Sequence, residues 1–201
     1  MSKPLQHLAS TLAARLERIS ESNPDVGRAL DHLLSAVRNA TPRPSFDTVG
    51  GDYAALLSRT IIAEDVDGNG DIARALTALR GVLPWQYHYQ PRSADEDLSD
   101  RIAFAELIGP DGPMIAPDCR VGFTLMAEDT VYPLHAHPAV ELYFVLSGNA
   151  EWQTATTCRI VPPGNLVLHR SSEAHAMRTY AEPLLALWGW SGDLDTAAFY
   201  L

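Results

Sequence analysis

Cysteine is scarce in this chain. The two residues, Cys119 and Cys158 of 201, lack any CxxC spacing, which excludes a zinc ribbon and a thioredoxin-type redox pair. A chain of this length buries enough core to fold without a covalent staple, so two reduced thiols are expected. Long apolar runs are missing as well. No window approaches the roughly 18 apolar residues of a membrane span. The opening MSKPLQHLAS lacks the roughly 7 to 15 apolar residues of a secretory leader, and a soluble cytoplasmic protein is expected. Positive charge is in deficit, 15 Lys plus Arg against 25 Asp plus Glu for a net −10. That is the wrong sign for neutralising phosphates or docking on anionic lipid, so neither nucleic acid nor a membrane is expected as a partner. With 13 Gly, 14 Pro and no repeat or low-complexity tract, collagen-like and disordered classes are excluded.

What is present is unevenly distributed. His7, His32 and His88 are scattered, whereas His135, His137, His169 and His175 crowd into one stretch. Residues 1–83 read as helices. Leu5, Leu8, Leu12, Leu16 and Ile19 recur at spacings of three and four, one face of a helix. Asn23 followed by Pro24 reads as an N-cap with proline in the first turn, and Leu30, Leu33, Leu34 and Val37 continue a second amphipathic stretch. Thr41-Pro-Arg-Pro ends it, and two further helices are expected at Tyr53 to Ala63 and Ile72 to Leu83. Between them, Asp65 to Ile72 imitates the start of an EF-hand loop. The twelfth position, where a bidentate Glu is required, is Leu76, so a polar inter-helix turn is the better account.

Past Pro84 the pattern changes to short apolar or alternating runs bounded by Gly, Pro, Asp or Ser. They are Trp85 to Tyr89, Ile102 to Leu107, Val121 to Met126, Val140 to Leu146, Ala150 to Thr154, Leu166 to His169, Ala174 to Tyr180 and Leu184 to Gly189. Short strands at a spacing of roughly ten residues predict a sandwich or barrel over residues 84–201. The acidic run at 93–100 reads as a solvated loop.

The chemistry is concentrated in Tyr132-Pro-Leu-His135-Ala-His137-Pro-Ala-Val-Glu141-Leu-Tyr143, continuing to Gly148. His135, His137, Glu141 and Tyr143 share one parity, so an unbroken strand would point all four to one face, with Pro138 a place for a bend. Two imidazoles and a carboxylate suit one divalent transition metal ion: Fe, Zn, Mn, Ni or Co. A second segment, Gly164 through His175 to Thr179, adds a further histidine ligand. Together the segments resemble the cupin family. His135, His137, Glu141 and Gly148 keep the register of G(x)5HxH(x)3–4E(x)6G, with Asp129 in place of the opening glycine. Gly164 and His175 keep that of G(x)5PxG(x)2H(x)3N, with Arg170, Ser172 and Thr179 at the Pro, Gly and Asn positions. Restoring the usual residues at 170 and 172 is expected to leave metal binding intact. The resemblance implies a mainly β protein, a small cupin (double-stranded β-helix, jelly-roll) barrel behind an N-terminal α-helical region. It also implies a metal held by His135, His137, Glu141 and His175. His169 has no place in the motif and reads as a strand or surface histidine.

A cupin hosts many reactions, and two tyrosines narrow the choice. Tyr143 follows Glu141 by two residues and Tyr132 precedes His135 by three. A phenol beside a divalent cation has its phenolate favoured, and such a base can take a proton alpha to a carboxylate held by the metal. The layout, with YPLHAHPAVELYF in the barrel, is similar to the cupin-type dimethylsulfoniopropionate (DMSP) lyases of the DddQ type. That resemblance implies β-elimination of a zwitterionic small molecule to dimethyl sulfide and acrylate. It implies Tyr132 or Tyr143 as the base and His137, Glu141 and His175 as ligands, completed by His135 or Tyr143. Trp188 and Trp190, alternating on one strand, are candidates to bind the sulfonium through their ring faces. The alternatives are another metal-dependent cupin enzyme, such as an Fe(II) dioxygenase, or a non-catalytic small-molecule binder. A monomer or homodimer is expected.

Overall fold

The computed structural model describes residues 2–23, 26–47, 51–61, 70–87 and 98–201. Most of the EF-hand-like turn and of the acidic run at 93–100 lies outside them. Four helices come first: α1 (Ser2–Ser22), α2 (Gly27–Asn39), α3 (Ala54–Ile61) and α4 (Gly70–Ala78). The stripes that define α1 and α2 are buried along their lengths, from Leu5 to Ile19 and from Leu30 to Val37. Helix ends depart from expectation. The residue preceding α2 is Val26, with no side-chain cap, while the Asn23 side chain donates to the Ile19 carbonyl at 2.9 Å and closes α1 instead. α4 stops short of Leu83 in a turn, because Gly81 and then Pro84 break the helical run. No described helix is long and apolar enough to cross a membrane.

Twelve strands follow or interleave: β1 (Thr41–Pro42), β2 (Ile102–Ile108), β3 (Met114–Ile115), β4 (Cys119–Met126), β5 (Val131–Ala136), β6 (Val140–Ser147), β7 (Ala150–Thr154), β8 (Cys158–Val161), β9 (Leu166–His169), β10 (His175–Thr179), β11 (Leu184–Ser191) and β12 (Phe199–Tyr200). They form a seven-stranded sheet, β1-β3-β2-β4-β11-β6-β9, and a five-stranded sheet, β12-β5-β10-β7-β8. This is the small double-stranded β-helix barrel behind an N-terminal helical region that the family resemblance implied. The strand expected at Trp85 is, over its described residues, a single bridge between Gln86 and Phe104.

Period two divides the seven-stranded sheet between two environments. On β11, Leu184, Ala186 and Trp188 face the barrel interior with Tyr143 and Val145 of β6 and Met126 of β4. Leu185 and Leu187 face the other way with Leu142, Phe144, Leu146, Phe123 and Leu125, and join one apolar core with the helical leucines. The helices therefore cover the outer face of that sheet, and its strands are apolar on both sides. Gly189 makes the closest approach possible. A Cβ there would lie 2.4 Å from Leu33 Cδ1, so the leucine of α2 occupies the space over β11 where a side chain is missing.

Candidate metal centre

The chain passes from β5, in the five-stranded sheet, to β6, in the seven-stranded sheet, through His137-Pro138-Ala139. His135, His137 and Glu141 consequently converge by changing sheets, and a single unbroken strand does not account for them. Tyr132 and His135 are three apart, yet both line the interior cavity. The β5–β10 register shifts between His175 and Met177, and this irregularity resets the alternation. Pairing brings in the rest: His175 opposes His135 across β10 and β5, and Trp190 opposes Glu141 across β11 and β6.

Each histidine is oriented by its own backbone. His135 Nδ1 donates to the Pro133 carbonyl at 2.8 Å, His137 Nδ1 to Ala139 at 3.1 Å and His175 Nδ1 to Glu173 at 2.8 Å. A carbonyl can only accept, so the proton sits on Nδ1 and the Nε2 lone pair is left as the ligand, the arrangement usual for metal-binding histidine. One nitrogen from each of the three rings lies within 4.8 Å of the others. Glu141 Oε2 stands 2.9 Å from His137 Nε2 and 3.2 Å from His175 Nε2, while Oε1 accepts the Trp190 indole N–H at 2.7 Å. With the protons on Nδ1, nitrogen and oxygen lone pairs face one another across these contacts, and a shared cation would satisfy both. The donor set therefore fits a divalent transition metal ion, with His135, His137 and His175 the group that could hold it.

Burial and charge oppose each other here. Burial alone would raise the Glu141 carboxyl, but the His137 and His175 contacts hold it well below the usual carboxylate range. His175 is pulled down by burial and pushed above its ordinary value by Glu141. His135 is lowered to about 3, first by burial and then by the charge of His175, so it stays uncharged at neutral pH. A cavity of about 660 Å³ opens onto His135, His137 and Glu141, with Tyr132, Tyr143, Trp188 and Trp190 in its wall. Tyr132 stacks on His135 with ring centres 4.0 Å apart. Trp188 fits because residue 122 is glycine; a Cβ there would lie 2.7 Å from its Cζ2.

The sequence profile of the dimethylsulfoniopropionate lyase family matches residues 49–186, more than half of the chain. The chain belongs to the DMSP lyase family. DMSP lyase DddQ of Ruegeria pomeroyi is 39% identical over 127 residues, 63% of this chain and 63% of that protein, so the aligned region spans just under two thirds of the relative's length. The crystal structure of DddQ from the same organism superposes with a TM-score of 0.74 at 32% identity, covering 93% of this chain and 96% of that one. A chain from the crystal structures of the DMSP lyases RdDddP and RnDddQII gives a TM-score of 0.81 at 24% identity over 98% and 97% of the two chains, and shows the shared fold.

The departures of this family member from the cupin motifs have physical explanations. Asp129 and Ser172, at the two glycine positions, keep the left-handed backbone with φ of 49° and 61°. The Ser172 N–H donates to the His137 carbonyl at 2.9 Å, so the turn is tied to the histidine group. Arg170, at the proline position, uses the N–H that proline lacks, donating to Glu173 Oε2 at 2.9 Å. Thr179, at the asparagine position, donates from its hydroxyl to the Ala127 carbonyl and accepts the Thr130 N–H at 3.0 Å.

Two residues beside the centre stand outside the motifs. His169 is fully buried on β9, opposite Glu141, and stacks face to face on His175 at 3.9 Å and 9°. Burial, then the charge of His175, lowers it to about 3. Its signal was available in the alternation of β9, which puts His169 and Val167 on the inward side. Trp190 presents its N–H to Glu141 and its ring to His137, at 4.3 Å; no spacing rule announces that.

Proposed function

We propose that this chain is a metal-dependent carbon–sulfur lyase that cleaves DMSP by β-elimination to dimethyl sulfide, acrylate and a proton. The observation that carries the reading is the placement of two phenols, Tyr132 and Tyr143, in the wall of the cavity that opens onto His135, His137 and Glu141. His135, His137, Glu141 and His175 are the ligand set for one Fe, Zn, Mn, Ni or Co ion. When bound, that ion supplies positive charge to hold the substrate carboxylate and to offset charge building at Cα. A phenolate, Tyr132 or Tyr143, takes the Cα proton; the C–H electron pair becomes the second bond between Cα and Cβ. The Cβ–S bond breaks with its electrons going to sulfur, so the sulfonium leaves as neutral dimethyl sulfide. Trp188 offers a ring face to the cationic end before that step.

The test is headspace detection of dimethyl sulfide from purified protein. Equal amounts of dimethyl sulfide and acrylate are expected without oxygen, and none after chelation; a requirement for oxygen would point to a dioxygenase instead. Removing a general base costs roughly 10²- to 10⁴-fold in turnover. Tyr132→Phe or Tyr143→Phe should show that loss with folding intact, and full activity in both would sink the phenolate mechanism.

A further inference from the structure

Glu141 has two oxygens with different occupations. Oε2 faces His137 and His175, whereas Oε1 receives the indole N–H of Trp190 at 2.7 Å. An indole has one polar proton and no acceptor, so this N–H is fully committed to Oε1. The pairing is built into the barrel. Trp190 and Glu141 are direct cross-strand partners on β11 and β6, and the indole leans on the His137 ring at 4.3 Å and 33°. The tryptophan cannot turn its N–H away without lifting off a ligand histidine.

A carboxylate can bind one metal ion through one oxygen or through both, and using both fills a second position around the ion. We propose that Trp190 is a positioning residue that holds Glu141 to ligation through Oε2 alone, keeping a place at the ion for the substrate carboxylate. This rests on the metal-lyase reading above. It gives Trp190 a task separate from that of Trp188, whose indole N–H has no hydrogen-bond partner among the described residues.

Cobalt(II) is the probe, because its visible absorption weakens several-fold when its coordination number rises to six. Propionate stands in for the substrate carboxylate, having no leaving group. Wild-type protein loaded with cobalt should change its spectrum on adding propionate. Trp190→Phe keeps a ring beside His137 but has no N–H. It should bind the same equivalents of cobalt with unchanged far-ultraviolet circular dichroism, absorb more weakly, and bind propionate about tenfold less tightly, the loss of one hydrogen bond to a charged group. Identical spectra and propionate affinities for wild type and Trp190→Phe would overturn the proposal. Should Trp190→Phe fail to fold, the wild type alone decides, since a cobalt spectrum unmoved by propionate also overturns it. A wild type that takes up no cobalt would instead overturn the metal-lyase reading, and the proposal with it.

Discussion

Ser172 and Arg170 stand two residues apart, and the structure separates what restoring the usual cupin residue would do at each. Ser172 holds a left-handed backbone that costs an L-residue more than it costs glycine, and its only tie to the site is a main-chain N–H that glycine also has. Ser172→Gly should therefore retain metal and gain up to about 1 kcal/mol in urea unfolding. Arg170→Pro reverses the motif-based expectation. Proline deletes the N–H that holds Glu173, whose carbonyl orients His175. Lost outer-sphere support of this kind typically costs about 10- to 100-fold in metal affinity. That weakening should appear in chelator competition for Arg170→Pro and be absent from Arg170→Ala, which keeps the N–H; equal affinities would refute it. The grouping of His135, His137 and His175 was legible because donor residue types at rigid spacings are what a metal site would require. Arg170 was not, because a bond made by the main chain leaves no trace in residue type.

At the scale of elements, the helices and the barrel meet at α2 and β11. Leu33→Ala should cost about 2–5 kcal/mol by leaving a cavity over the sheet. Gly189→Ala should cost about 1–3 kcal/mol by driving a methyl group into the same leucine. Because one substitution empties the space that the other fills, the double variant should be less destabilised than the sum of the two. Strict additivity in urea unfolding would show that the contact does not hold the helices to the sheet. The helical stripes were legible since a 3.6-residue period runs uninterrupted through Leu5 to Ile19. β5 was hidden by Pro133 and by its shifted register, and β1, β3 and β12 are two-residue strands with no alternation to read.

For the molecule as a whole, the centre ties the two sheets together, with His135 and His175 on one and Glu141 on the other. In chelated protein its stability should depend steeply on pH. His135 and His169 resist protonation down to about 3 in the folded state, whereas the unfolded chain takes up those protons near 6.5. Their contribution is thus complete above about pH 6.5 and is lost as the pH falls, at about 1.4 kcal/mol per pH unit for each. His175, raised by Glu141, acts in the opposite sense: its contribution is complete below 6.5 and fades as the pH rises. Urea unfolding between pH 6 and 5, above the range in which the depressed Glu141 carboxyl adds its own slope, should show the two-proton slope, and His169→Phe should remove about half of it; an unchanged slope would contradict the assignment. Residues Leu194 to Ala198 wall the cavity yet belong to neither sheet. Changes there can reshape the cavity while the strands that carry His135, His175 and Glu141 stay as they are. The shape of the cavity can therefore vary through a stretch that carries none of the sheet pairing, with the histidine group left where it is.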